Sequence, residues 1–170
     1  MSAVVEPLDI PPGFSDPEGL GTPVCVRQAV AWGEMDSLGH VNNIIYLRWL
    51  ENARFEWFER VGVSAWMRES GGAVGPILAR VECDYRLPVG FPDKVWTSLR
   101  CVELGGSSMR LRSQVWSEAH GAVAAEGDAV IVLVDYAAES SVRVPEPIRA
   151  AIRALDGEGL VERGRSTPTA

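Results

Sequence analysis

Ile44-Ile45-Tyr46-Leu47-Arg48-Trp49-Leu50-Glu51-Asn52-Ala53-Arg54-Phe55-Glu56-Trp57-Phe58-Glu59-Arg60-Val61 is the stretch on which the fold turns. At about 100° per residue, Trp49, Ala53, Tyr46, Trp57, Leu50, Val61, Leu47 and Phe58 fall within one half of a helical wheel. A face with that much aromatic and aliphatic surface must be covered by something large. Arg48, Glu51, Asn52, Glu56 and Glu59 occupy the other half, where Phe55 is a large apolar exception. Arg54 lies inside the apolar arc, where a guanidinium needs a partner, and Glu51 is within reach three residues earlier. Asn42 or Asn43 is a good N-cap for this helix. A short second helix is expected over residues 64–69, with Ser64 as its cap.

What covers the helix follows it in the chain. Ile77, Ala79, Val81, Cys83, Tyr85 and Leu87 alternate with Arg80, Glu82, Asp84 and Arg86, the period of a strand. Three further strands are expected over residues 94–104, 107–117 and 123–136, joined antiparallel through Gly105-Gly106 and His120-Gly121. Residues 145–155 form an amphipathic helix opened by a proline. Upstream, residues 24–32 alternate, with Val24, Val26, Val30 and Trp32 on one face, and lead into a polar loop over residues 33–42. One apolar helix followed by a meander implies an α+β fold, a long antiparallel sheet wrapped around the helix. The domain is expected over residues 23–155, between a Pro- and Gly-rich flexible arm (residues 1–22) and a flexible tail (residues 156–170).

The chain has 170 residues, 46% hydrophobic and 23% charged, which suits a single globular domain. Its net charge of -7 disfavours a nucleic-acid binder, which needs a basic excess. Lys94 is the only lysine among 16 basic residues, so the positive charge is almost all guanidinium. The longest uncharged apolar run, Ala129 to Val134, falls far short of the roughly 20 residues of a membrane-spanning helix. Met1 to Gly21 holds four acids and no Lys or Arg, unlike a signal peptide, so a cytoplasmic location is expected. Cys25, Cys83 and Cys101 are widely spaced and odd in number, which argues for packing over disulfides or zinc.

The densest polar cluster, Gly33 to Asn43, lies between a strand and the helix. Asp36 precedes Asn43 by seven residues, so a loop folding back would set its carboxylate beside the helix's first turn. There unpaired N–H groups and the positive end of the dipole favour a developing anion. Such a pair is half of an acyl-transfer site, although Asp before a helix is also a common turn or cap residue.

Asp36-Ser37-Leu38-Gly39-His40-Val41-Asn42-Asn43, then Tyr46-Leu47 and Glu51-Asn52-Ala53-Arg54, resembles the signature of hotdog-fold acyl-CoA thioesterases of the 4-hydroxybenzoyl-CoA thioesterase type. Tyr85-Arg86-Leu87-Pro88 and Gly105-Gly106-Ser107-Ser108 resemble strand segments of that family, and the likeness covers residues 24–155. The resemblance implies an acyl-CoA substrate, no metal or other cofactor, and a homodimer or homotetramer joined through sheet edges with active sites at the dimer interface. It places the catalytic carboxylate on Asp36 and the oxyanion donor on the backbone N–H of Asn43. His40, Ser107 and Ser108 become candidate substrate contacts, the serines from the neighbouring subunit. Arg80, Arg86, Arg100, Arg110 and Arg112 are candidates for the coenzyme A phosphates, and His120 is expected to do nothing. Two departures stand out: Glu34 replaces an Asp common in relatives, and residues 88–93 separate a Gly and an Asp that are often adjacent. The alternatives are a hotdog enoyl-CoA hydratase or dehydratase, which would need His40 paired with Asp36, and a non-catalytic acyl-CoA binding protein.

Overall fold

The computed structural model describes residues 24–157 and 159–163. The expected arm over residues 1–22 and residues 164–170 of the expected tail lie outside them. In chain order the elements are β1 (Val24–Ala29), a 3-10 turn (Trp32–Glu34), α1 (Asn43–Val61), α2 (Val63–Glu69), β2 (Val74–Tyr85), β3 (Lys94–Leu104), β4 (Ser108–Ser117), β5 (Ala122–Asp135), β6 (Ser140–Ser141), α3 (Glu146–Asp156) and β7 (Val161–Glu162). The strands form one sheet in the order β1-β3-β4-β5-β2, with β6 on β5 and β7 on β3. β1 runs antiparallel to β3, Val24 opposite Leu99 and Ala29 opposite Lys94.

Four local expectations change. Trp32 is 77% exposed rather than on a strand face. Local bonds outcompete the ladder there, because Glu34 N–H bonds to Ala31 O (3.0 Å), Ala31 N–H to the Glu34 carboxylate (2.9 Å), and Val30 N–H leaves for Asp93 O (2.9 Å). Ser64 is not a cap; Gly62, at a φ of 84°, holds that place and Ser64 is buried in α2. β7 is parallel to β3, an exception to the antiparallel meander, as befits a strand reached by way of a helix. The tail does not start at residue 156 either. Asp156 ends α3 and is 1% exposed, and Glu162 of β7 binds Arg149 (2.7 Å) and Arg153 (2.5 Å) of α3.

The chain divides into two compact units, and long elements contribute to both. The first comprises the described residues up to Glu56, with Cys83–Leu99 and Ser113–Gly127. Its core sets Tyr46, Trp49 and Leu50 of α1 against Val95, Val115, Ala124 and Ala125 of the sheet. Gly127 permits that approach, since a Cβ there would meet Leu50 Cδ1 at 2.7 Å. The second unit holds Trp57–Glu82, Arg100–Arg112 and the described residues from Asp128 onward. It buries Trp57, Phe58 and Val61 of α1 and, from the strands, Leu104, Met109, Leu111, Ile131 and Leu133. In this unit the expected core face of β2 is bare: Ile77 and Val81 are exposed, as is Leu78 opposite them.

Arg54 is buried as its place in the arc requires, and its guanidinium donates to Glu51 Oε1 at 3.2 Å. Burial pulls the Arg54 pKa down and the Glu51 charge opposes that. The Glu51 side chain is 50% exposed, which makes the pair asymmetric. Removing Arg54 leaves a carboxylate that water can solvate, whereas removing the Glu51 charge strands a buried cation. Glu51→Gln is therefore expected to cost about 1.5–3 kcal/mol, and Arg54→Met much less. Urea unfolding of both variants checks this, and equal midpoints would show that the asymmetry is wrong.

Candidate active site

The loop between β1 and α1 is closed by a short ladder. Met35 and Val41 form an isolated antiparallel bridge, Asp36 N–H bonds to His40 O (2.7 Å) and Gly39 N–H to Asp36 O (3.1 Å). Gly39 sits at a φ of 78°, a conformation that a side chain would strain. The loop is joined to α1 through Asn42, whose N–H reaches Glu34 O (2.9 Å) and whose Oδ1 accepts the Ile44 N–H (3.1 Å), making Asn42 the N-cap. Glu34 and Arg48 add an ion pair from the 3-10 turn to α1. Glu34 thus braces the 3-10 turn against α1.

Asp36 is half-buried. Its Oδ1 accepts the N–H of Leu38 (2.8 Å) and, more loosely, of His40 (3.4 Å). Among the described residues no donor is bonded to Oδ2. One oxygen therefore holds the turn while the other stays unbonded, so a turn-forming role for Asp36 does not exclude a chemical one. Asn43 is the first residue of α1, where no intrahelical carbonyl exists for its N–H. Asp36 and Asn43 line one cavity of about 300 Å³ with His40, Tyr46, Tyr85 and Pro88. Burial pushes the phenols of Tyr46 and Tyr85 above their ordinary pKa, so both stay protonated at neutral pH. Tyr46 Oη accepts the Val89 N–H (3.1 Å), Val89 O accepts the Val41 N–H (2.8 Å), and Tyr85 Oη donates to Asn43 O (3.1 Å).

The other candidates are placed as follows. His40 lines the cavity, yet its hydrogen bonds run through its backbone, and its ring makes none to Asp36 among the described residues. The His–Asp pair that a hydratase would need is not formed. In the second unit Ser107 lies in the β3–β4 turn and Ser108 opens β4, with Leu133 N–H bonded to Ser107 O (2.9 Å) and Gly105 N–H to Ser108 O (2.8 Å). Of the arginines, Arg100 is buried and donates to Asp156 O (3.4 Å), so it is out of reach of a phosphate. Arg80, Arg86 and Arg110 pair with Glu82, Glu126 and Asp128 respectively, and Arg112 lies 3.9 Å from Asp128.

His120 does more than its turn position suggests. Its Nε2 lies 2.7 Å from Pro88 O, and a carbonyl only accepts, so the proton is on Nε2. That bond and the carboxylate of Asp93, which accepts from Lys94 N–H (2.7 Å), Ala119 N–H (2.9 Å) and Ser117 Oγ (2.5 Å), pin both ends of the unusual 88–93 segment. Neither Tyr85 nor His120 is signalled locally in the sequence, because their partners are 42 and 32 residues away. The cysteines are free, and burial pushes the Cys25 thiol up to about 11 and the Cys101 thiol up to about 12, which leaves both as unreactive packing groups. Among the described residues no three His, Cys, Asp or Glu side chains gather as a metal site, and no helix is long and apolar enough to cross a membrane.

The sequence model of the thioesterase-like superfamily matches residues 30–152. The long-chain acyl-CoA thioesterase FadM of Escherichia coli is 25% identical over 121 residues, covering 71% of this chain and 90% of that protein. A thioesterase from Thermus thermophilus, solved with coenzyme A and Zn, is 39% identical with a TM-score of 0.68, covering 81% of this chain and 97% of the other. A 1,4-dihydroxy-2-naphthoyl-CoA thioesterase from Synechocystis has a TM-score of 0.70 at 18% identity, covering 80% and 98%, a likeness of fold alone.

Proposed function

The chain belongs to the thioesterase-like superfamily, with the α+β hotdog fold and thioester-hydrolase activity of that family, and we propose that Asp36 and the N–H of Asn43 carry this activity on acyl-coenzyme A. The observation that carries the reading is that one and the same cavity is lined by a carboxylate with a free oxygen and by the first residue of a long helix. The thioester carbonyl oxygen accepts the Asn43 N–H, where the helix dipole stabilises negative charge. Oδ2 of Asp36 takes a proton from water as its oxygen bonds to the carbonyl carbon, or attacks that carbon itself. Collapse of the tetrahedral adduct breaks the C–S bond: on the water route the proton held by Asp36 passes to the departing thiolate and leaves the acid, and on the nucleophilic route coenzyme A leaves as thiolate, and water then cleaves the acyl-aspartyl anhydride, releasing the acid, its protons passing to the thiolate and solvent. His40 meets the substrate at the cavity wall. A thiol-release assay over short, long and aromatic acyl-CoA thioesters tests the reading, and no release from any of them would overturn it.

The site is completed by a second copy. β2 ends the sheet order and its Ile77, Leu78 and Val81 are exposed, an edge that an isolated chain would not leave apolar. Pairing there gives a homodimer, or a tetramer built from dimers, in which Ser107 and Ser108 of the neighbouring subunit approach the thioester. Light scattering at micromolar concentration is expected to give twice or four times the chain mass, and a monomer would remove both the assembly and the serine contacts. A cytoplasmic location accompanies this reading, and three free cysteines agree with a reducing compartment.

A further inference from the structure

We infer that Tyr85 is a positioning residue for the oxyanion donor: its phenol fixes the first residue of α1, so that the Asn43 N–H is aimed before substrate arrives. The inference rests on the reading of Asn43 given above and adds to it a residue from another element. Tyr85 is the last residue of β2, and the strand end that bears it is held firmly, with the N–H groups of Arg86 and Leu87 both on Ala124 O at 2.8 and 3.0 Å. From that anchor the Tyr85 ring packs edge-on against Tyr46, centroids 5.1 Å apart at 89°, and its hydroxyl donates to Asn43 O at 3.1 Å. Tyr46 is itself fixed by the Val89 N–H, so the ring that supports Tyr85 cannot swing away.

First turns of helices fray, and an N–H at the first position has no intrahelical bond to restrain it. A donor that wanders must be ordered during the reaction, whereas one already aimed stabilises the oxyanion without reorganisation. The Tyr85 hydroxyl bonds the carbonyl of the same residue whose N–H is to act, and so restrains the residue from its far side. Burial keeps the phenol protonated, hence a donor, across the neutral range.

The test is Tyr85→Phe, which keeps the ring packing and removes the hydroxyl from a half-exposed position. Steady-state hydrolysis of an acyl-CoA that the parent turns over is expected to show kcat and kcat/KM both about 10- to 100-fold lower, with KM and melting temperature nearly unchanged. A second readout is the infrared carbonyl stretch of that thioester bound to Asp36→Asn protein. A well-aimed N–H lowers the frequency, and adding Tyr85→Phe is expected to raise it towards the value of free thioester. A kcat within about threefold of the parent overturns the inference, as does a fall in kcat with no movement of the carbonyl band. If the parent itself releases no thiol, the functional reading fails and takes this inference with it, an outcome distinct from the other two.

Discussion

Asp36→Asn is expected to lower kcat by about 10²–10⁴-fold, or more if the carboxylate is the nucleophile, while the melting temperature and KM stay near those of the parent. The structure makes this substitution unusually clean. The turn relies on Oδ1, which accepts the Leu38 and His40 amides, and asparagine keeps an oxygen there. The position of Oδ2 becomes an amide nitrogen with no basic lone pair. Stability and chemistry are thereby separated within one side chain, and an Asp36→Asn protein within a few-fold of the parent rate would sink the mechanism. Asn43 offers the complementary pair. Asn43→Ala retains the backbone N–H and should matter little. Asn43→Pro removes it at the first helical position, where proline fits, and should cost about 10²–10³-fold.

That Asp36 and the helix start line one cavity was legible because it is local: seven residues of loop and a cap bring them together. The buried arc of α1 was legible for a related reason, since 3.6-residue periodicity reports which positions share a face, and Tyr46, Trp49, Leu50, Ala53, Trp57, Phe58 and Val61 are all buried. Periodicity reports nothing about what covers a face. β2 alternates cleanly, yet Cys83 and, just past its end, Leu87 pack on the core of the first unit while Ile77 and Val81, in the second, are bare. Alternation also ran on through Trp32, where the Glu34 carboxylate had already captured the backbone N–H of Ala31. The least legible features join residues distant in sequence. Tyr85 on Asn43, His120 on Pro88 and Trp57 on Asp156 leave no trace in any window a pattern can span, and Asp156 was assigned to a tail on composition alone.

Asp156 carries the largest expected effect on stability, and its sign opposes the common one for carboxylates. Burial raises its pKa from 3.8 to about 6, although the Trp57 indole, the Cys101 backbone and the Arg100 charge all favour the anion. Oδ2 accepts the Trp57 Nε1–H at 2.8 Å, while Oδ1 is buried with no hydrogen-bond partner. A folded state with the higher pKa binds the proton more tightly than the unfolded chain. The carboxyl is therefore best tolerated below pH 3.8, and its ionisation destabilises the fold progressively as pH rises to about 6, after which the penalty is constant. The gap is worth about 3 kcal/mol. Glu162 slopes the other way, since Arg153 and Arg149 hold it down to about 2 and its contribution is lost as pH falls from 4.5 toward that value. The parent's own profile mixes the two, so the difference between parent and variant is what isolates Asp156. Asp156→Asn keeps an acceptor for Trp57 and cannot ionise. Urea unfolding should find the variant no more stable than the parent at pH 3.5 and more stable by up to about 3 kcal/mol at pH 7, with the gain growing between pH 4 and 6. A difference that stays constant over that range would mean that Asp156 is as well solvated in the folded protein as in the unfolded chain.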